Sequence, residues 1–196
     1  MAISNVSNGF RPGVCTSTTR PSAPFEGQMI YETDTDMLAI YNGSAWRYVA
    51  ATTPTNGTVL QVVNATYSTQ QGSSSSTPAD TGLSASITPK SSSSKILVEL
   101  CQNGCYKNSL NAENRLALRL LRDSTTLVTN FSGGLFLYTA TAINNSAAIG
   151  LSYLDSPATT SSITYKTQFW NPNGTNGVNV QADSAMSTMT LKEIAA

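Results

Sequence analysis

The chain contains no histidine, so the side chain that most often acts as general base, metal ligand or triad member is missing. Catalysis by Ser-His-Asp or Cys-His groups is therefore excluded. The sequence also lacks a Gly-x-Ser-x-Gly elbow, a P-loop and a Gly-x-Gly-x-x-Gly turn. Carboxylate chemistry is the class of catalysis that remains open.

Eleven acidic residues could supply that chemistry, and a glycosidase would need two of them facing each other. Asp34 and Asp36 stand two residues apart inside a Thr-Asp-Thr-Asp segment. Because aspartate side chains commonly accept backbone hydrogen bonds in tight turns, we interpret both as turn residues. The other acidic residues are scattered, so we expect no enzymatic activity, and a glycan depolymerase is a minor alternative.

Three cysteines, Cys15, Cys101 and Cys105, give no disulfide framework. Cys101 and Cys105 flank Gln-Asn-Gly, and a three-residue hairpin loop there would place them close enough to bridge. Free buried thiols, which behave as small hydrophobic groups, are the favoured alternative. Without histidine partners the cysteines do not indicate a zinc site, and we expect no metal and no cofactor.

Two tryptophans could stack against sugar rings. Trp46 follows an Asn-Gly turn, and we interpret it as core of a small N-terminal module. Trp170 precedes the polar loop Asn-Pro-Asn-Gly, so Trp170, Asn171 and Asn173 are candidate receptor contacts.

The overall composition favours a β-rich surface protein. Only 11% of the residues are charged, and eleven basic residues balance eleven acidic ones. This balance argues against nucleic acid as a partner. No run of 18 apolar residues occurs, so we expect no membrane insertion. The first residues lack the pattern of a signal peptide, which favours synthesis in a cytoplasm.

The first fifty residues divide into two parts. Residues 1–24 contain Pro12, Pro21 and Pro24 and predict an extended arm that lies against a partner. Residues 25–50 predict a three-stranded β-meander whose strands are separated by Thr-Asp-Thr-Asp and Asn-Gly-Ser turns. Such a small sheet cannot cover its own apolar side chains, so it should bury them against copies of itself. The candidate docking and trimer contacts are Phe10, Arg11, Arg20, Phe25, Met29, Tyr31, Leu38, Ile40, Trp46 and Tyr48.

Residues 51–57 predict a linker, and residues 58–196 predict an all-β knob. Strand candidates of regular spacing favour a β-sandwich of the jelly-roll type. They cover residues 59–67, 83–88, 95–103, 115–122, 125–131, 135–142, 148–154, 162–169, 178–182 and 186–194. Residues 115–122 could also form a helix, but leucines at every second position favour a strand that leaves Arg115, Arg119 and Arg122 on an outer face.

Residues 20–35, Arg-Pro-Ser-Ala-Pro-Phe-Glu-Gly-Gln-Met-Ile-Tyr-Glu-Thr-Asp-Thr, and residues 41–46, Tyr-Asn-Gly-Ser-Ala-Trp, carry a resemblance. They resemble a module near the N-terminus of phage fibre and other minor virion proteins. A second, looser resemblance to the knobs of phage fibres and decoration proteins rests on residues 87–90, 95–98, 153–160 and 165–168. Together they imply a trimeric, jelly-roll-like knob without a cofactor.

We therefore expect a bacteriophage structural protein on the virion surface, a homotrimer that contacts major capsid or tail proteins. It would be a capsid decoration (cement) protein or a short tail fibre. The alternative is a receptor-binding tail fibre that recognises a bacterial surface glycan in host attachment.

Overall fold

The computed structural model of the chain describes residues 12–49, 54–107, 115–131, 146–174 and 177–196. The chain forms two compact units, residues 1–53 and residues 54–196. Within the described residues the secondary structure consists of fourteen strands and one short 3-10 helix. The predicted all-β sandwich fold is confirmed. None of the described helical residues belongs to a helix long and apolar enough to cross a membrane.

The N-terminal unit contains one four-stranded sheet. Its strands are β1 (Gly13–Cys15), β2 (Met29–Glu32), β3 (Met37–Tyr41) and β4 (Trp46–Tyr48), in the order β1-β2-β3-β4. β1 runs parallel to β2, and the other neighbours are antiparallel. The segment predicted as part of an extended arm therefore contributes an edge strand to its own unit.

The Asn42-Gly43 signal marks a turn between β3 and β4. Tyr41 pairs with Trp46, so the loop contains four residues. The Asn42 side-chain oxygen accepts hydrogen bonds from the backbone nitrogens of Ser44 (3.1 Å) and Ala45 (2.8 Å). Of this loop only Gly43 has a positive φ, 90°. The turn is thus held by an asparagine side chain and by one left-handed glycine.

The second unit contains ten strands among its described residues. They are β5 (Val59–Tyr67), β6 (Gln71–Ser73), β7 (Ala79–Ile87), β8 (Lys95–Lys107), β9 (Ala117–Arg122), β10 (Thr125–Val128), β11 (Ser146–Asp155), β12 (Ile163–Trp170), β13 (Val178–Val180) and β14 (Ser187–Ile194). The short strand β6 lies between the predicted strands 59–67 and 83–88, where no strand was predicted. The predicted strand 135–142 lies outside the described residues.

These strands form two sheets. One has the order β10-β9-β12-β7, and the other has the order β5-β14-β8-β13-β6, with β11 on the opposite edge of β8. Successive long strands alternate between the sheets, from β7 to β8, from β8 to β9, and from β11 to β12. The eight strands other than β6 and β13 therefore follow the two Greek keys of a jelly roll.

The sandwich interior contains two apolar clusters with a polar layer between them. The first cluster includes Leu100 and Tyr165, and the second includes Cys105 and Phe169. Thr167 stands between the two clusters along β12, and Gln102 does so along β8. Both polar residues are fully buried.

These buried polar groups satisfy one another. The Thr167 hydroxyl donates to the Gln102 side-chain oxygen (3.0 Å), and the Gln102 amide donates to Ser187 Oγ (3.0 Å). Thr81 Oγ1 lies 2.6 Å from Thr167 Oγ1. The chain of hydrogen bonds crosses from one sheet to the other and so specifies how the sheets face each other.

Residues 117–122 form strand β9, which confirms the strand interpretation over the helix. Leu118 and Leu120 are buried between the sheets. Arg122 is an exception to the predicted outer row of arginines. It shares the inner face with these leucines, and its guanidinium binds Asp155.

Cys101 and Cys105 are not opposite each other in a hairpin. They lie on the same continuous strand, β8, and both are free thiols. The Asn-Gly pair between them forms a β-bulge: three residue steps from Gln102 to Cys105 face two steps from Ala147 to Ile149 on β11. Gly104 takes the left-handed conformation that this type of bulge requires (φ 59°).

Candidate functional site

Strand register separates the side chains of the N-terminal sheet into two faces. Val14, Tyr31 and Leu38 form one cross-strand row on the first face. Met29, Ile40 and Arg47 form the neighbouring row. We call the set Val14, Met29, Tyr31, Leu38 and Ile40 the apolar face.

The apolar face is only partly covered. Val14 is 62% exposed and Met29 is 36% exposed, whereas Tyr31, Leu38 and Ile40 are half-buried. The described residues of this unit form one sheet and no second layer. A sheet of a few short strands gains little stability unless an apolar surface packs on it. Among the described residues of this unit, the apolar face therefore has no second layer packed on it.

The opposite face carries a polar network around Glu32, which is fully buried. The Arg20 guanidinium forms an ion pair with Glu32 and donates to the Tyr48 hydroxyl (2.9 Å). The hydroxyls of Tyr48 (2.9 Å) and Thr35 (3.1 Å) donate to the second carboxylate oxygen. The hydrogen bond from Arg20 lowers the pKa of Glu32, and those from Tyr48 and Thr35 act in the same direction. This face is closed by the unit's own residues.

The two aspartates of the first turn serve as anchors for neighbouring segments. Asp34 accepts hydrogen bonds from the Ser17 backbone nitrogen (2.8 Å) and hydroxyl (2.5 Å), which lower the pKa of Asp34. Asp36 accepts one from the Tyr31 hydroxyl (2.9 Å). Among the residues that the structure describes, no group of three or more His, Cys, Asp or Glu side chains could hold a metal ion.

The predicted docking residues are distributed over different surfaces. Phe10 and Arg11 lie outside the described residues. Met29, Tyr31, Leu38 and Ile40 share the apolar face, as their spacing of two predicts. Trp46 and Tyr48 lie on the opposite face, where Trp46 packs on Tyr41 with ring centroids 5.4 Å apart.

Two further residues complete the set of docking candidates. Arg20 belongs to the closed network on the opposite face, and Phe25 is 65% exposed in the loop before β2. Val14 was not predicted, because Pro12 and Gly13 indicate irregular chain. A weak signal was present in the sequence, since valine, the residue at position 14, favours strands.

The predicted receptor contacts do not form one exposed patch. Trp170 ends β12 on the outer face of its sheet, where the Arg119 guanidinium lies 5.9 Å from its ring centroid. Asn171 is fully buried, so it cannot meet a receptor in this conformation. Its side-chain oxygen accepts a hydrogen bond from the Asn173 backbone (3.0 Å), and Asn173 itself is exposed.

The buried carboxylates of the second unit are each engaged by donors. Asp155 accepts hydrogen bonds from Arg122 (2.7 Å) and Tyr165 (2.6 Å). Glu193 accepts them from the Gln61 amide (2.6 Å) and the Lys90 backbone (2.7 Å). These two groups connect strands and loops of the sandwich, which is a structural role.

Comparison with known proteins adds little to this description. No family model and no curated protein matches the chain. Among solved structures, the chain is similar to a particle described as "Crystal structure of infectious bursal disease virus VP2 subviral particle", with 15% sequence identity and a TM-score of 0.30. That match covers 90% of this chain and 46% of the VP2 chain, so the chain spans about half the length of that protein.

Proposed function

We propose that the chain is a structural protein of a bacteriophage virion surface, a homotrimer that docks through its N-terminal unit and exposes its β-sandwich as a knob. The observation that carries this proposal is the apolar face on a one-layer sheet. The second unit has its own core between two sheets, but the described part of the first unit has no such layer.

Burial of the apolar face favours association. Complete burial of one valine, leucine, isoleucine or methionine side chain stabilises the state in which it is buried by about 1.5–3 kcal/mol. The apolar face contains four such side chains and a tyrosine, and two of them are substantially exposed. Copies of the same sheet are a suitable cover, because in a three-fold assembly identical apolar patches that lie at the symmetry axis meet around it.

The sequence resemblance supports a viral setting for this unit. Residues 20–35 and 41–46, which resemble the attachment module of phage fibre and minor virion proteins, include Arg20 and Glu32, strand β2 and the turn between β3 and β4. The segments that carry the resemblance therefore supply Met29 and Tyr31 of the apolar face. A knob without any long shaft favours a capsid decoration protein over a tail fibre.

The oligomeric state tests the proposal directly. Analytical ultracentrifugation of the full chain should give a trimer, and Met29→Glu or Leu38→Glu should shift it toward monomer by placing a charge in the buried interface. Val62→Glu is the matched control, because Val62 is an exposed apolar residue (56%) on the sandwich. This control should remain trimeric.

A monomeric parent chain, or variants as trimeric as the control, would contradict the proposal. In each variant that also carries Trp170→Phe, Trp46 fluorescence shows whether the N-terminal unit is still folded. Quantitative mass spectrometry of purified virions then gives the copy number. A number close to that of the major capsid protein indicates decoration, and a number close to that of tail proteins indicates a fibre.

A further inference from the structure

A hollow of about 360 Å³ lies on the outer face of the larger sheet of the sandwich. It is lined by Gln70, Tyr106, Ser146, Asn179, Ala182 and Asp183. This volume falls in the lower part of the range of small-molecule sites.

One cross-strand row forms the floor of the hollow. Tyr106 on β8 pairs with Ser146 on β11 and with Asn179 on β13, and Asn179 pairs with Gly72 on β6. Paired residues share a face, and it is the face opposite to the buried Val178. A side chain at Gly72 would close the row, because its Cβ would lie 2.7 Å from the Asn179 side-chain oxygen.

The wall of the hollow is a segment with an unusual backbone. Gln181, Asp183 and Ser184 all have positive φ (54°, 54° and 59°), which is costly outside glycine. The bulge of β8 holds this segment in place. The Gln181 backbone nitrogen donates to the Asn103 carbonyl (2.9 Å), and Gly104 lies so close that a Cβ there would be 2.4 Å from the Ala182 nitrogen.

The side chains around the hollow have unused hydrogen-bonding capacity. Those of Gln70, Tyr106, Asn179 and Asp183 make no hydrogen bond to any side chain or backbone group in the described part of the chain. Asn179 is only 7% exposed, so its amide can be reached chiefly through the hollow. A phenol, two amides, a hydroxyl and a carboxylate together offer both donors and acceptors.

The described residues of the lining disfavour other ligand classes. They include no lysine or arginine, which disfavours phosphates and other anions. Among them Asp183 is the single carboxylate, which disfavours a calcium ion that needs six to eight oxygen ligands. Ala182 is the single aliphatic side chain in this described lining, which disfavours an apolar ligand. A neutral polyhydroxylated ligand fits what remains, with the Tyr106 ring available for the apolar face of a sugar.

We propose that this hollow is a binding site for a short neutral saccharide. The proposal goes beyond a structural role on the virion and does not depend on trimer formation. Binding is carried by the amides of Gln70 and Asn179, by the Asp183 carboxylate and by stacking on Tyr106.

The test uses the full chain against immobilised neutral oligosaccharides of glucose, galactose, mannose and N-acetylhexosamines, with sialylated and sulfated oligosaccharides alongside. A neutral oligosaccharide should bind, and in the ¹⁵N NMR spectrum it should shift the backbone amides of residues 104–106 and 179–183. Failure of every neutral oligosaccharide to bind, binding of charged ones only, or shifts confined to other residues would each overturn the proposal.

Two variants and one control sharpen the experiment. Tyr106→Ala and Asp183→Asn should each weaken binding at least about tenfold, and asparagine tolerates the left-handed backbone at position 183. Trp170→Ala removes the other candidate sugar-stacking ring and should leave affinity unchanged. Loss of binding in Trp170→Ala with normal binding in the other two would reject this hollow. If Tyr106→Ala does not fold, Asp183→Asn and the NMR mapping still decide.

Discussion

The Arg122 guanidinium nitrogen Nη1 lies 2.7 Å from the Asp155 carboxylate oxygen Oδ2, and this ion pair joins the two sheets of the sandwich. Arg122 lies on β9 in one sheet, and Asp155 lies on β11 in the other. The Tyr165 hydroxyl donates to the same carboxylate oxygen (2.6 Å). Because the Asp155 side chain is only 7% exposed, water cannot readily replace these partners.

Removal of that carboxylate should destabilise the sandwich strongly. Asp155→Ala leaves the mostly buried Arg122 charge without its partner, and we expect a loss of about 3 kcal/mol in the free energy of unfolding. Urea denaturation measures it. The matched control is Glu99→Ala, which removes the more exposed Lys192–Glu99 ion pair (side chains 35% and 45% exposed) and should cost less than about 1 kcal/mol. Equal losses in the two variants would contradict the structural role of Asp155.

Glu32 should make the N-terminal unit sensitive to acid. The Arg20 hydrogen bond lowers the pKa of Glu32 in the folded chain from its usual value of 4.5, so the ionised carboxylate stabilises the fold. This stabilisation is fully present above about pH 4.5 and is lost as the pH falls through the lower folded-state pKa. The pKa of Asp34, lowered by Ser17, adds an effect of the same sign.

The measurement is Trp46 fluorescence during acid titration of the full chain carrying Trp170→Phe. Glu32→Gln should reduce the stability of the unit at neutral pH and make its stability less dependent on pH in this acid range. A pH profile for Glu32→Gln that superimposes on that of the parent would show that the buried carboxylate does not act in this way.

Gly104 should tolerate a methyl group less well than Gly57, another left-handed glycine. Gly104→Ala places a Cβ 2.4 Å from the Ala182 nitrogen at φ 59°. Gly57→Ala is the matched control, because Gly57 has φ 89° and a Cβ added there would meet nothing within 4 Å. The control should cost about 1–2 kcal/mol from backbone conformation alone, and Gly104→Ala about 1–3 kcal/mol more. Thermal and urea unfolding compare the two, and similar losses would mean that the β8 bulge can move away from residue 182.

The Cys105 thiol should not react with thiol reagents while the chain is folded. Burial raises the pKa of the Cys105 thiol to about 12, with a smaller contribution from Cys101 nearby. Because the thiolate is the reactive form, a disulfide reagent at about pH 8 should label Cys105 only after unfolding, while the half-buried Cys101 reacts earlier. Peptide mass spectrometry after timed labelling measures this order. Early labelling of Cys105, or a mass gain on reduction that reveals a disulfide, would be inconsistent with the structure.

Several features follow from the local sequence. Strand β5 has the predicted bounds, 59–67. Strand β9 also follows the prediction, because Leu118 and Leu120 stand two positions apart and so lie on the same face of a strand. The same period of two places Met29 with Tyr31, and Leu38 with Ile40, on a common side of their strands. Turn chemistry at Asn42 and Gly43 is equally local. Such features depend on residues a few positions apart, so the order of side chains along the chain is enough to predict them.

Other features depend on pairing between distant segments. Val14 joins the apolar face only because it pairs with Tyr31, seventeen residues later. Trp46 lies on the opposite face because of the register between β3 and β4. An Asn-Gly pair is compatible with either a hairpin turn or a β-bulge. Because β8 continues as one strand that pairs with both β11 and β14, the Asn-Gly pair forms a bulge within it. Cys101 and Cys105 therefore do not lie opposite each other.

The sequence by itself thus determined that the chain is all-β and where most of the described strands run. Only the tertiary structure decided which side chains share a face, that Asn171 is buried, and that Tyr106, Asn179 and Asp183 surround one hollow. The physical reason is that strand register is selected by the packing of the whole sheet, and alternation along one strand contains no information about its neighbour.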